Sequence, residues 1–290
     1  MCARRVNGSF RRRWVIAFTA LLLLVLGVAG YGYAEATRAP VVRRATFTLP
    51  DLPPGTAPIR ILLMADMHAQ GPDMPTARLE RIVGQANALH PDIIVLAGDF
   101  IGNNVVATRR YDEAAAIAPL AGLRAKEGVF AVLGNNDRPD GAAAMAALRA
   151  AGINVLEKRA VQLGPIVLGG LRTRFGSTVR RILARSGARI VISHSPDGFA
   201  SLPPGIDLML AGHTHCGQIV LPLVGPLATG SEFGSRYLCG VTVENGRALV
   251  VTGGLGTSQV PFRIGAPPDM WLIELRPRPP QALPTLVRRG

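Results

Sequence analysis

Acidic residues are scarce in this chain of 290 residues: 19 aspartates and glutamates stand against 32 lysines and arginines, a net charge of +13. Such an excess invites a nucleic-acid partner, but its distribution argues against one. Arg4, Arg5, Arg11, Arg12 and Arg13 precede the first apolar run, and Arg276, Arg278, Arg288 and Arg289 close the chain, which leaves +4 for residues 14–275. No basic helix and no basic run interleaved with aromatics is present, so no nucleic acid is expected. Cysteine is limited to three residues, too few for a disulfide framework. Cys216 and Cys239 could pair in an oxidising compartment, but their spacing is no framework, and the expectation is a free, buried Cys216. Histidine is also rare, at five residues. No internal repeat is visible.

One long hydrophobic run stands out. Residues 14–33, "WVIAFTALLLLVLGVAGYGY", hold no charge and match the roughly 20 residues needed to span a bilayer. Trp14 and Tyr31/Tyr33 stand at its ends, as in an aromatic belt, and the preceding arginines predict a cytoplasmic N-terminus. The expectation is a single-pass protein of the inner (cytoplasmic) membrane with the rest of the chain facing the periplasm. The alternative is export with cleavage near Ala36, since Ala34-Glu35-Ala36 fits a signal-peptidase site and "RRRWVI" carries paired arginines. The organisation expected is a basic N-terminus (1–13), an anchor (14–33), a linker (34–58), a main domain (59–275) and a Pro/Arg-rich tail (276–290).

From Ile59 onward, short apolar runs alternate with helical spacing. "IRILLMAD", "PDIIVLAGD", "GVFAVLGNND", "ARIVISHSPD" and "IDLMLAGHTH" read as strands, and "TARLERIVGQANAL", "GAAAMAALRAAG" and "VRRILARSG" as helices. That alternation predicts an α/β domain with a largely parallel sheet covered on both faces. The β-rich C-terminal third suggests a second sheet packed on the first.

Five of these strands end in polar residues: Asp66 and His68, Asp99, Asn135 to Asp137, His194, and His213 with His215. A single histidine at a strand end is more often a packed core residue than a ligand, and a single Asp is often a cap. Asp92, Asp207 and His90, at strand starts, read as structural. Four of the five histidines at one sheet edge is another matter, because sites in open α/β sheets form outside the carboxyl ends of the strands. Carboxylate, imidazole and amide oxygen without thiolate make a ligand set for two divalent ions rather than a structural zinc.

The blocks "DMH" (66–68), "GDF" (98–100), "GNND" (134–137), "SHSPD" (193–197) and "GHTH" (212–215) resemble, in order and spacing, those of the calcineurin-like metallophosphoesterases. The closing "GGLGTSQVPFRIGAPPDMWLIEL" resembles the bacterial membrane-tethered or exported branch of that family. The resemblance implies a four-layer α/β/β/α sandwich of two mixed sheets. It also implies two metals drawn from Mn, Fe, Zn, Ni or Co: Asp66, His68 and His215 on the first, Asn135, His194 and His213 on the second, and Asp99 bridging. The implied reaction is phosphoester hydrolysis by a hydroxide between the metals.

Two departures qualify it. Asn136 replaces the family's histidine, which contacts phosphate and protonates the leaving group with the following acid, here Asp137, as partner. Asn has no titratable proton, and general acid help is typically worth about 10²–10⁴ in rate. Phosphodiesters, another acid such as His68, or a weakly active metal- or phosphate-binding envelope protein are the competing consequences. A pyrophosphatase acting on a nucleotide-sugar lipid is a further alternative, and a lipid-linked substrate is suggested by location. The second departure is the short, basic "RTRFGST" after Leu171, with Arg172 and Arg174 read as solvated. Arg138 is a candidate phosphate contact, and Gln218, Asn103 and Asn104 are candidate pocket lining.

Overall fold

A computed structural model describes residues 8–137, 141–171 and 176–278. Its body is two six-stranded sheets face to face, with helices outside. The first sheet runs, in spatial order, Val41–Leu49, Asp269–Pro277, Ile59–Met64, Ile93–Leu96, Val129–Ala131 and Asn154–Val155. The second runs Gly240–Glu244, Arg247–Val251, Leu208–Ala211, Ala188–Ile192, Ile166–Gly170 and Ala160–Leu163. Both are mixed: Asp269–Pro277 opposes Ile59–Met64 in the first, and an antiparallel hairpin closes each edge of the second.

Strand alternation assigns the layers. Ile61, Leu63, Val95 and Phe130 point between the sheets, against Ile190, Ile192, Leu210 and Val250. Leu62, Met64, Ile94 and Leu96 point the other way, onto Leu79, Ile82 and Val83 of helix α2, Thr76–Asn87. On the far side Val191, Met209 and Leu249 meet Val179, Ile182 and Phe199. With both faces covered, the strands read as the continuous apolar runs seen in the sequence. The architecture is the expected four-layer α/β/β/α sandwich.

The N-terminal helix α1 spans Gly8–Thr37 and is long and apolar enough to anchor the protein in a membrane. It outruns the apolar segment: its last turns lie on the domain, with Ala36 fully buried. The expected linker needs correction. Residues 41–49 form an edge strand, in parallel register with Asp269–Pro277 from Val41↔Asp269 to Leu49↔Pro277. Arg44, Thr46 and Thr48 face solvent while Ala45, Phe47 and Leu49 turn inward; this period-two pattern is hidden by the Pro- and Arg-rich flanks. Its partner lies 228 residues away in sequence, from Val41↔Asp269 onward, so no local signal announces the pairing. Arg276, assigned to the tail, belongs to the last strand.

Candidate metal centre

The five strand ends meet at one edge, and the turns that bring them there are tight. Asp66, His68, Asp99, His213 and His215 all have positive φ, between 44° and 77°. Non-glycine residues enter this region at a cost of order 1–3 kcal/mol each, and they do so mostly at functional sites. The neighbouring loops press together: a Cβ on Gly134 would collide with Asp99 Oδ1, and one on Gly212 with Asp66 Oδ2. The glycines of the "GNND" and "GHTH" blocks are therefore needed for close approach.

Two clusters result. In the first, His68 Nε2 and His215 Nε2 are 3.2 Å apart, and Asp66 Oδ1 lies 4.0 Å and 3.6 Å from them. In the second, His194 Nε2 lies 2.9 Å from Asn135 Oδ1, 3.0 Å from His213 Nδ1 and 3.4 Å from Asp99 Oδ2. Asp99 Oδ2 is also 3.6 Å from His68 Nε2, which places it between the clusters. His194 Nδ1 sits 2.8 Å from the Ala97 carbonyl, a contact that leaves Nε2 as the ligand atom.

These residues fit a pair of cations. Asp66 Oδ1 is buried without a hydrogen-bond partner, a costly state for a carboxylate oxygen unless a positive charge meets it. Burial and the nearby Asp99 charge push the Asp66 carboxyl up to about 7. Burial pushes His68 down to about 4, and burial together with His68 holds His215 well below the ordinary imidazole range. Burial and the facing His194 lower His213. Neutral imidazoles are the form that binds metal. Burial opposes both members of the pair Asp99–His194, but their mutual attraction wins: Asp99 is held below the carboxylate range and His194 is raised to about 9. A divalent ion there would replace that proton.

The fold and these clusters agree with the match of residues 59–217, more than half of the chain, to the family model described as calcineurin-like phosphoesterase. The chain belongs to that family. This phosphoesterase is 30% identical over 252 residues to an uncharacterized metallophosphoesterase of Aquifex aeolicus, covering 81% of this chain and 91% of the relative. It is 28% identical over 277 residues to Phosphodiesterase YaeI of Escherichia coli (91% and 98%). It is 29% identical over 296 residues to a transmembrane protein with metallophosphoesterase domain of Danio rerio, covering 93% of this chain and 64% of the relative. The two His/Asp clusters give the phosphoesterase domain places for two divalent metal ions, the equipment of a metal-dependent phosphoester hydrolase.

Three expected roles look different in the folded phosphoesterase. Asn136 turns toward the shared carboxylate: its Nδ2 donates to Asp99 Oδ2 at 2.7 Å and its backbone N–H to Asp99 Oδ1 at 2.9 Å. Asp137 is engaged by the backbone. Its two oxygens accept four backbone N–H groups, from Asp99 (2.8 Å), Gly134 (2.8 Å), Phe100 (2.8 Å) and Ile101 (3.2 Å). His68 is fully buried and does not line the cleft; its Nε2 faces His215 Nε2 at 3.2 Å. Arg138, Arg172 and Arg174 lie outside the described residues.

The other candidates sort by contact. Gln218 lines the cleft, yet its amide is taken by the Ser258 and Val260 carbonyls and the Ser258 N–H. Asn103 reaches Asn136 Oδ1 at 3.3 Å, and Asn104 is buried against Asp73 and Thr257. Asp92 and Asp207 accept the N–H groups of Arg60 and Arg189, which is structural work. His90 lies on a distant surface, beside Arg44 and Arg60. Cys216 is not free: it is disulfide-bonded to Cys239, pinning the turn that carries His215. Spacing of 23 residues hid a Cα–Cα distance of 4.9 Å that only the sheet edge creates.

Sequence reasoning missed Arg263. It is fully buried, donates to the carbonyls of Gly253, Gly256 and Ala266, and stands 3.3 Å from His215 Nδ1. Its position in a Gly/Pro-rich stretch suggested only a turn.

Proposed function

We propose that this chain is a membrane-anchored phosphodiesterase acting in the cleft above the two clusters. The observation that carries the reading is the single Asp99 oxygen shared by both ligand groups, at the base of a cleft of about 310 Å³. Asp66, His68 and His215 would hold one ion, Asn135, His194 and His213 the other, with Asp99 common to both. When bound, two divalent ions neutralise phosphate oxygens and make water a better nucleophile. The chain's own residues orient the parts. Asn136 fixes the rotamer of Asp99, and Arg263 holds the ring of His215 from behind.

Among the described residues, the titratable side chains lining the cleft are Asp99, His213 and His215, all assigned here as ligands. None is left over to protonate a leaving group, which favours esters whose leaving group departs without that help. Ile219, Leu227 and Val260 form an apolar wall, which suits the second organic arm of a diester. A lipid-linked or envelope phosphate is the substrate class in view. The oxidised Cys216–Cys239 pair supports a domain outside the cytoplasm, as do the arginines before the helix. Ala36, buried inside a continuous helix, supports a retained anchor over cleavage there.

The test uses the full chain in detergent. Hydrolysis of bis-p-nitrophenyl phosphate is compared with that of p-nitrophenyl phosphate, with Mn²⁺ and with chelator, beside Asp99→Ala. The expected result is metal-dependent turnover, faster on the diester and lost in the variant. Bound metal with no turnover of either ester would favour the metal-binding envelope protein that Asn136 also suggests.

A further inference from the structure

The anchor helix is not a loose tether. Gly32 packs against Phe262 and Ile264, and its carbonyl accepts the Arg263 N–H at 2.9 Å. The Tyr33 hydroxyl donates to the Pro72 carbonyl at 3.2 Å, and Arg78 donates to the Arg38 carbonyl at 3.0 Å. The chain then enters the first sheet at Val41, opposite Asp269 and hence at the edge where Ile59–Met64 ends and the metal ligands begin. The helix thus meets the domain on the side of the metal centre.

At about 1.5 Å per residue the apolar run 14–33 is long enough for a hydrocarbon layer of about 30 Å. Gly32 and Tyr33 therefore mark the bilayer surface. Two loops are bound to the segments that touch them. Residues 262–265 hold the hairpin at Val220 by reciprocal backbone bonds with Gln218 and Val220, and Gln259 accepts the Val105 N–H. Gly71, next to Pro72, pairs with Arg109.

These two loops carry apolar side chains into solvent: Leu223 and Val224 at the hairpin tip, fully and 71% exposed, and Val105 and Val106, 68% and 56% exposed. Arg109 and Arg110, both exposed, follow the second pair. Gln259 and Val260, which line the cleft, lie in the segment that joins the loops to the helix.

We infer that Leu223–Val224 and Val105–Val106 form a rim that seats in the bilayer surface beside the anchor, with Arg109 and Arg110 on anionic headgroups, so that the cleft opens onto the membrane. Apolar tips flanked by cations suit an interface of that composition. This docking goes beyond the hydrolase reading and does not depend on the ester cleaved.

The test uses the full chain carrying Cys2→Ser, reconstituted without reductant into nanodiscs of phosphatidylethanolamine and phosphatidylglycerol. Single cysteines replace Leu223, Val106 or, as a control at the opposite ends of the strands, the exposed Lys126. Each is labelled with a polarity-sensitive NBD probe and quenched with 5-doxyl lipid. The labels at 223 and 106 are expected to be blue-shifted and quenched at least threefold more than the label at 126. Equal, weak quenching at all three positions overturns the docking. A blue shift at 223 without lipid quenching also overturns it, in favour of a protein covering the rim.

Discussion

Replacing Asp137 by Asn separates two roles for this residue, because the change keeps its shape and alters only its acceptors. Asp137 joins the "GNND" turn to the Asp99 turn through four buried backbone N–H groups, two on each oxygen. Burial and the Asp99 charge push its carboxyl up to about 6, against those donors, so it is ionised at neutral pH. In Asp137→Asn the amide NH₂ must face one of the two donor pairs, whichever way it is turned. Two buried N–H groups lose their acceptor, at about 1–3 kcal/mol each, for a total of about 2–6 kcal/mol. For a domain of this size each kcal/mol lowers Tm by roughly 2–4 °C, so a fall on the order of 5–20 °C is expected. Thermal unfolding of the full chain in detergent, with metal saturating, reads the shift, and hydrogen exchange at residues 99–101 should quicken with it. A change under about 2 °C accompanied by loss of turnover would refute the clamp and return Asp137 to the chemistry.

Three further outcomes can be checked. Asn136→His should raise turnover of phenyl phosphate, whose phenolate leaves poorly without a proton, relative to p-nitrophenyl phosphate by about tenfold or more, and an unchanged ratio would remove Asn136 as the source of the leaving-group preference. Cys216→Ser opens a 23-residue loop, which chain-entropy arguments value at about 3 kcal/mol; chemical denaturation should show a loss of that order, with weaker metal retention at the His215 turn. His68, held at about 4 by burial, gives a pH signature in chelator. Because its folded pKa is depressed below 6.5, its contribution is full above pH 6.5 and is lost as pH falls through 4, a swing of about 3 kcal/mol. Acid unfolding of His68→Gln should lack that increment, and curves parallel to the parent's would contradict the buried neutral imidazole.

The strand-end blocks were legible in the sequence because parallel strands deliver their C-terminal residues to one edge, so apolar runs ending in Asp, Asn or His already point to a shared site. The long apolar helix was legible from length and composition alone. Three features were not. The partner of residues 41–49 lies at the far end of the chain, and pairing over that distance leaves no local trace. Asn136 and Asp137 looked like chemistry because residue type suggests what a group can do. Which way it points is settled by the turn, and here one side chain meets Asp99 while the other is consumed by backbone donors. Arg263 and the Cys216–Cys239 link depend on contacts that exist only once the C-terminal strand has returned to the first sheet and the turns have closed. From the sequence alone came the set of Asp, Asn and His residues gathered at the strand ends and the long apolar segment that precedes them. The tertiary structure decided how Asp99 sits between the two clusters, what holds it in place, and which face of the domain stands beside the apolar helix, because distances between residues remote in sequence are set by packing.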